Sequence, residues 1–97
     1  MSIQYEFTFN FDCEDEEFRD FLKSLPHFHK YDTKNHGYIY KTLGKKNPDA
    51  VIEILDSGIR LRDYLTGVGR ELIGLLVEHI TSISDNLIIE EVDKYLY

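Results

Sequence analysis

Residues 3–17 decide the fold. Ile3-Gln4-Tyr5-Glu6-Phe7-Thr8-Phe9-Asn10-Phe11 runs without a break into Asp12-Cys13-Glu14-Asp15-Glu16-Glu17. In the first part apolar and aromatic residues alternate with polar ones. Successive side chains of a strand point to opposite sides, so this pattern predicts a β-strand over residues 3–11 with one buried face. The second part crowds carboxylates where the strand ends and a helix starts. Asp12 is placed to accept from the free N–H groups of a first helical turn. The acids that follow sit at the positive end of the helix dipole, where they are favoured. Phe18, Phe21, Leu22 and Leu25 then recur at the spacing of one helix face. Pro26 stops the helix, because a residue preceding proline avoids the helical region.

Further along, residues 27–36 are polar and aromatic without a period and read as a loop. Tyr38-Ile39-Tyr40-Lys41-Thr42-Leu43 has strand composition. Residues 44–49 read as a turn. Val51, Ile52 and Ile54 are β-branched and favour a strand over 50–55. Asn47-Pro48-Asp49 also resembles a helix start, but a strand gives residues 38–43 a hairpin partner. Asp56-Ser57-Gly58 is a turn, and Ile59 and Leu61 alternate with Arg60 and Arg62 in a further strand. Leu72, Leu75, Leu76, His79, Ile80 and Ile83 mark an apolar stripe on a helix over 69–84. Leu87-Ile88-Ile89 opens a last strand. The expectation is a single α+β domain over residues 1–97. Its order fits a ferredoxin-like βαββαβ unit with an extra strand. The sheet would be antiparallel or mixed, with both helices on one face.

Composition bounds the function. Ninety-seven residues with a formal charge of -7 suit neither nucleic acid nor an anionic membrane, both of which need a cationic face. A basic protein partner is favoured instead. Cys13 is the one cysteine, so no internal disulfide and no cysteine-based zinc cluster can form. No apolar stretch precedes the first strand as a secretory signal would, and none is long enough to span a bilayer. The expected location is the cytoplasm.

Asp12, Glu14, Asp15, Glu16 and Glu17 form a candidate docking patch for Lys and Arg, with Glu6 and Asp20 extending it. Helix capping with a solvated face is the simpler account of most of these acids. Glu90, Glu91 and Asp93 are a second acidic group, which would merge with the first if the first and last strands pair. Tyr31, Tyr38 and Tyr40 are candidate anchors, since tyrosine offers contact area with a polar handle. Gly67-Val68-Gly69-Arg70 precedes a helix and, with Arg60 or Arg62, is an alternative anion- or nucleotide-binding site. A tight turn needing glycine explains the same residues. His27, His29 and His36 have the chemistry for a metal, but read as histidines of a surface loop. His79, on the second helix's apolar stripe, reads as a core or boundary residue. No metal or cofactor is expected. Nothing in the spacing sets a nucleophile beside a base, so no enzymatic activity is expected.

An acylphosphatase would share the βαββαβ order, but it needs a cationic phosphate loop where this chain has its carboxylates. In size, charge, the acidic run at 12–17 and its tyrosines, the chain resembles bacterial toxin-immunity proteins, including those of contact-dependent inhibition systems. Small phage-encoded inhibitors share that profile. The resemblance is one of class. It implies an acidic inhibitor that neutralises a basic nuclease-type toxin by direct binding, as a monomer or weak dimer. A structural or oligomeric role through an open sheet edge is the third reading.

Overall fold

The computed structural model describes residues 2–10 and 15–92. It contains β1 (Ile3–Thr8), α1 (Glu16–Ser24), β2 (Phe28–Asp32), β3 (Gly37–Tyr40), β4 (Ala50–Leu55), β5 (Gly58–Asp63), α2 (Val68–Ile83) and β6 (Ile88–Val92). The strands form one six-stranded sheet in the order β2-β3-β4-β5-β1-β6. Every neighbouring pair is antiparallel. The described residues thus form a small α+β domain with two helices and six strands, one strand more than the sequence reading identified.

The registers sort the strands into two faces. Directly opposed residues of antiparallel strands share a face. Tyr5 and Phe7 oppose Leu61 and Ile59, which oppose Ile52 and Ile54. Tyr38 opposes Ile52, and Tyr40 opposes Ala50. This face joins Phe18 and Leu22 of α1 and Leu72, Leu76 and Ile80 of α2 in one buried cluster. Both helices therefore cover the same side of the sheet. Gln4, Glu6, Arg60, Arg62, Val51, Glu53 and Ile39 face the other side.

β1 stops at Thr8 rather than residue 11, as Phe9 turns to bond Ser57, and four further sequence expectations change. The helix cap is Asp15, whose carboxylate accepts from Glu17 N at 3.1 Å. Asp15 has extended backbone geometry, so α1 starts at Glu16; Asp12 lies outside the described residues, as do Phe11, Cys13 and Glu14. Second, the expected loop over 27–36 contains strand β2. A bulge between Phe28 and Lys30 breaks the alternation, so Phe28 and Tyr31 reach the same buried face three residues apart. Third, β3 ends at Tyr40 rather than residue 43. The chain leaves the sheet there to follow the contacts of Asp49 described below.

Fourth, Tyr38 and Tyr40 are not surface anchors. They are 2% and 0% exposed, on the helix-covered face. The Tyr40 hydroxyl donates to the Leu22 carbonyl at 2.6 Å, satisfying an acceptor at the end of α1. Burial pushes that phenol well above its ordinary range, and the neighbouring Tyr38 adds to the shift. Tyr31 remains half-buried, 4.7 Å from Tyr38 between ring centroids. The asymmetry is measurable by urea unfolding. Tyr40→Ala should cost about 3–5 kcal/mol, as large aromatic truncations in cores do. Tyr31→Ala should cost clearly less. Equal losses would contradict the burial pattern.

Candidate functional site

Topology brings several acidic residues to one end of the sheet. β1 finishes there at Thr8, opposite Gly58 and Ile88. Phe9 N donates to Ser57 O at 3.1 Å, which sets the Asp56-Ser57 turn beside the strand exit. Asn10 N donates to Ser84 Oγ at 3.2 Å, which brings the end of α2 to the same place. α1 starts from this end too, since the Phe18 ring near its start lies 5.9 Å from that of Phe9. Asp15, Glu16, Glu17, Asp56 and Asp85 therefore share one pole, with Asp85 and the last two glutamates of the run exposed. Asp12 and Glu14 lie outside the described residues. Asp20 is exposed on the second turn of α1.

Helix electrostatics explain the acids of α1, but not Asp85. Acids at an α1 N-terminus offset the positive end of its dipole. α2 presents its negative end at this pole, and its last turn carries no basic residue. Asp85 follows it directly, so like charges accumulate where a cation is favoured.

The second acidic group takes a different position. β6 does pair with β1, but Glu90 opposes Glu6 in mid-strand and Glu91 opposes Tyr5. Successive residues of β6 point to opposite faces, so Glu90 joins the uncovered face and Glu91 the helix side. Asp93 lies outside the described residues. On the uncovered face Arg60 binds Glu6 through Nη2 at 2.9 Å and Nε at 3.2 Å. With its amide oxygen turned toward Arg62, Gln4 accepts from Nε at 2.8 Å and Nη2 at 2.6 Å. Both arginines are thus engaged within the sheet. They project from the opposite face of β5 to Ile59, Leu61 and Asp63, the side on which α2 packs.

Gly67 and Gly69 do open α2, but apart from those arginines. Gly67 is the N-cap, with φ at 98° in the left-handed region that suits glycine. A Cβ at Gly69 would collide with the Asp63 carboxylate. That carboxylate lies against the first turn of α2, where a bound phosphate would bring its own negative charge. It also accepts from Leu65 N at 2.8 Å. Arg70 is exposed beyond it. The alternative anion site is therefore not assembled from Gly67, Gly69, Arg70, Arg60 and Arg62 together.

The histidines are separated as well. His27 directly precedes β2, His29 is exposed within it, and His36 directly precedes β3. His27 Nε2 is 3.5 Å from Glu71 Oε1, and His36 Nδ1 is 3.4 Å from the Tyr31 hydroxyl. Among the described residues no three His, Cys, Asp or Glu side chains gather as a metal set. His79 stacks on Phe21 at 3.7 Å between the helices.

Asp49 escaped the sequence reading, which placed it in a turn. Its carboxylate is 0% exposed yet heavily hydrogen-bonded. Oδ2 accepts from Thr42 N at 2.6 Å and Thr42 Oγ1 at 2.8 Å. Oδ1 accepts from Lys45 Nζ and Thr66 Oγ1, each at 2.5 Å. One carboxylate thus clamps the loop after β3 to the loop before α2. Burial pushes its pKa up, but Lys45, Thr66 and Thr42 outweigh that and hold it well below the ordinary range. The signal available in the sequence was only an acid flanked at a distance by Thr42, Lys45 and Thr66.

Because the folded carboxyl titrates below its unfolded value, its stabilisation is complete above the unfolded pKa of about 3.9. It drains away as pH falls from there toward the folded value. Asp49→Asn should cost about 3 kcal/mol at neutral pH, since it leaves a charged and hydrogen-bonded site half-filled. It should also flatten the acid limb of stability against pH. Urea unfolding at several pH values between neutrality and pH 3 checks both.

The chain matches no protein-family model, no curated protein and no solved structure.

Proposed function

We propose that this chain is a small non-enzymatic inhibitor of the immunity type, which binds a basic nuclease-type toxin domain directly in the cytoplasm. The observation that carries this reading is the convergence of α1's start, the β4–β5 turn and the end of α2 on one acidic pole. Asp85 carries most weight there, because it opposes the dipole of α2 and no helix-capping role accounts for it. A concentrated charge of one sign steers a partner of opposite sign and is relieved by it. With Tyr38 and Tyr40 committed to the core, the contact would rest on Glu16, Glu17, Asp20 and Asp85, with Asp15 holding the helix start. Asp12 and Glu14, outside the described residues, stay in the proposed partner-binding set on their charge alone. Tyr31 is the remaining candidate anchor of the three tyrosines.

The same reading takes the fold as an elaborated ferredoxin-like unit. β1, β4, β5 and β6 with the two helices would be its βαββαβ frame, and the β2–β3 hairpin an insertion after α1. The order β4-β5-β1-β6 supports that assignment.

The test is charge reversal at the pole. Glu16→Lys, Glu17→Lys and Asp85→Lys are combined in one variant, with its melting temperature followed as a control. The partner is recovered by pull-down from the native host, and association is timed at low and moderate salt. The reading expects the on-rate to fall by about tenfold or more at low salt, with a weaker salt dependence. An unchanged on-rate removes the acidic pole from the interface.

A further inference from the structure

The two edges of the sheet are built differently. β2, at one edge, is guarded by a bulge between Phe28 and Lys30 and by exposed His29 and Lys30. Bulges and edge lysines are devices that prevent strand addition. β6, at the other edge, pairs with β1 in an unbroken register from Ile88 to Val92. It carries neither lysine nor proline within that span. Ile88 and Ile89 are 57% and 41% exposed, and Glu90 and Glu91 are exposed beside them. Among the described residues no strand pairs with its outer side. An edge with adjacent exposed isoleucines and free backbone groups is a template for another strand.

The acids select what that strand is. Two copies of β6 paired antiparallel over its full length would set Glu90 against Glu90 and Ile89 against Glu91. Like charges directly opposed are destabilising, so a second copy is a poor occupant. The same carboxylates favour lysine or arginine. We propose that β6 accepts an extended segment of the basic partner as an added antiparallel strand. The proposal rests on the reading that the partner is basic. The register specifies the segment's chemistry. Read from its N-terminus, it is apolar opposite Val92, basic opposite Glu91 and Glu90, then apolar opposite Ile89 and Ile88. The two adjacent cations fall on opposite faces, as Glu90 and Glu91 do. β6 begins at the acidic pole, since Ile88 opposes Thr8, so a strand added here runs away from that surface.

The probe is a short capped peptide, Thr-Val-Lys-Lys-Val-Val-Thr, with a control of equal composition in which the lysines alternate with valine. The full chain is titrated with each at low salt, and binding and amide hydrogen exchange are followed by NMR. The proposal expects the first peptide to bind about tenfold more tightly or better, a difference of 1.4 kcal/mol. It also expects slowed exchange confined to the amides of β6. Glu90→Lys with Glu91→Lys should reject this peptide and accept its counterpart with glutamates for lysines, while Ile88→Lys with Ile89→Lys should weaken both. Equal binding of both lysine peptides without protection at β6 overturns the strand and leaves a basic partner standing. No binding by either overturns the strand as well, and the charge reversal at the pole then decides the basic partner separately. A doubled mass in solution that Ile89→Lys abolishes also overturns it, because the occupant is then a second copy.

Discussion

Phe7, Ile59 and Ile54 form one row across three adjacent strands and Tyr5, Leu61 and Ile52 the next, and the buried residues of both helices close over these rows. This one-sided burial is the constraint from which the remaining structure follows. A shift of one residue in any of these registers would move a strand's apolar set to the uncovered face and its charges into the core. The period-2 pattern of β1 therefore excludes every odd slip against β5, and β5 constrains β4 in the same way. Gly58 reinforces it, since a Cβ there would strike the backbone of Phe7.

Covering one face leaves the other to polar chemistry. Glu6, Arg60, Gln4 and Arg62 satisfy one another across β1 and β5, so this surface is largely self-paired. The half-buried Arg60–Glu6 pair stays open enough to solvent to contribute only modest stability. Their effect is to remove the arginines from any site at the start of α2. Exposed carboxylates also stand at the end of the sheet, at Asp56 and Asp85, and along β6, at Glu90 and Glu91.

Asp49 shows how an isolated residue becomes structural through tertiary contacts. Thr42, Lys45 and Thr66 come from two loops on either side of two strands, and a single buried carboxylate accepts from all of them. A buried charge is tolerated only when paired and hydrogen-bonded in this way. Neither its burial nor its partners can be read from a run such as Asn47-Pro48-Asp49, which is equally a turn or a helix start.

The sequence by itself determined the elements whose patterns are local. Alternation in β1, the apolar spacing in both helices, Pro26 as a stop and the β-branched run of β4 were each legible, because side-chain period follows directly from backbone geometry. The acidic character of the α1 start was legible for the same reason. Tertiary structure alone decided what depends on contacts between distant segments. It turned the bulged stretch around His29 into an edge strand, buried Tyr38 and Tyr40 beneath the helices, and sent Arg60 and Arg62 away from Gly67. It also brought Asp56 and Asp85 to the pole that the acidic run begins. Charge and period can be read along the chain, whereas burial and proximity are set by which face each strand presents and which end each connection reaches.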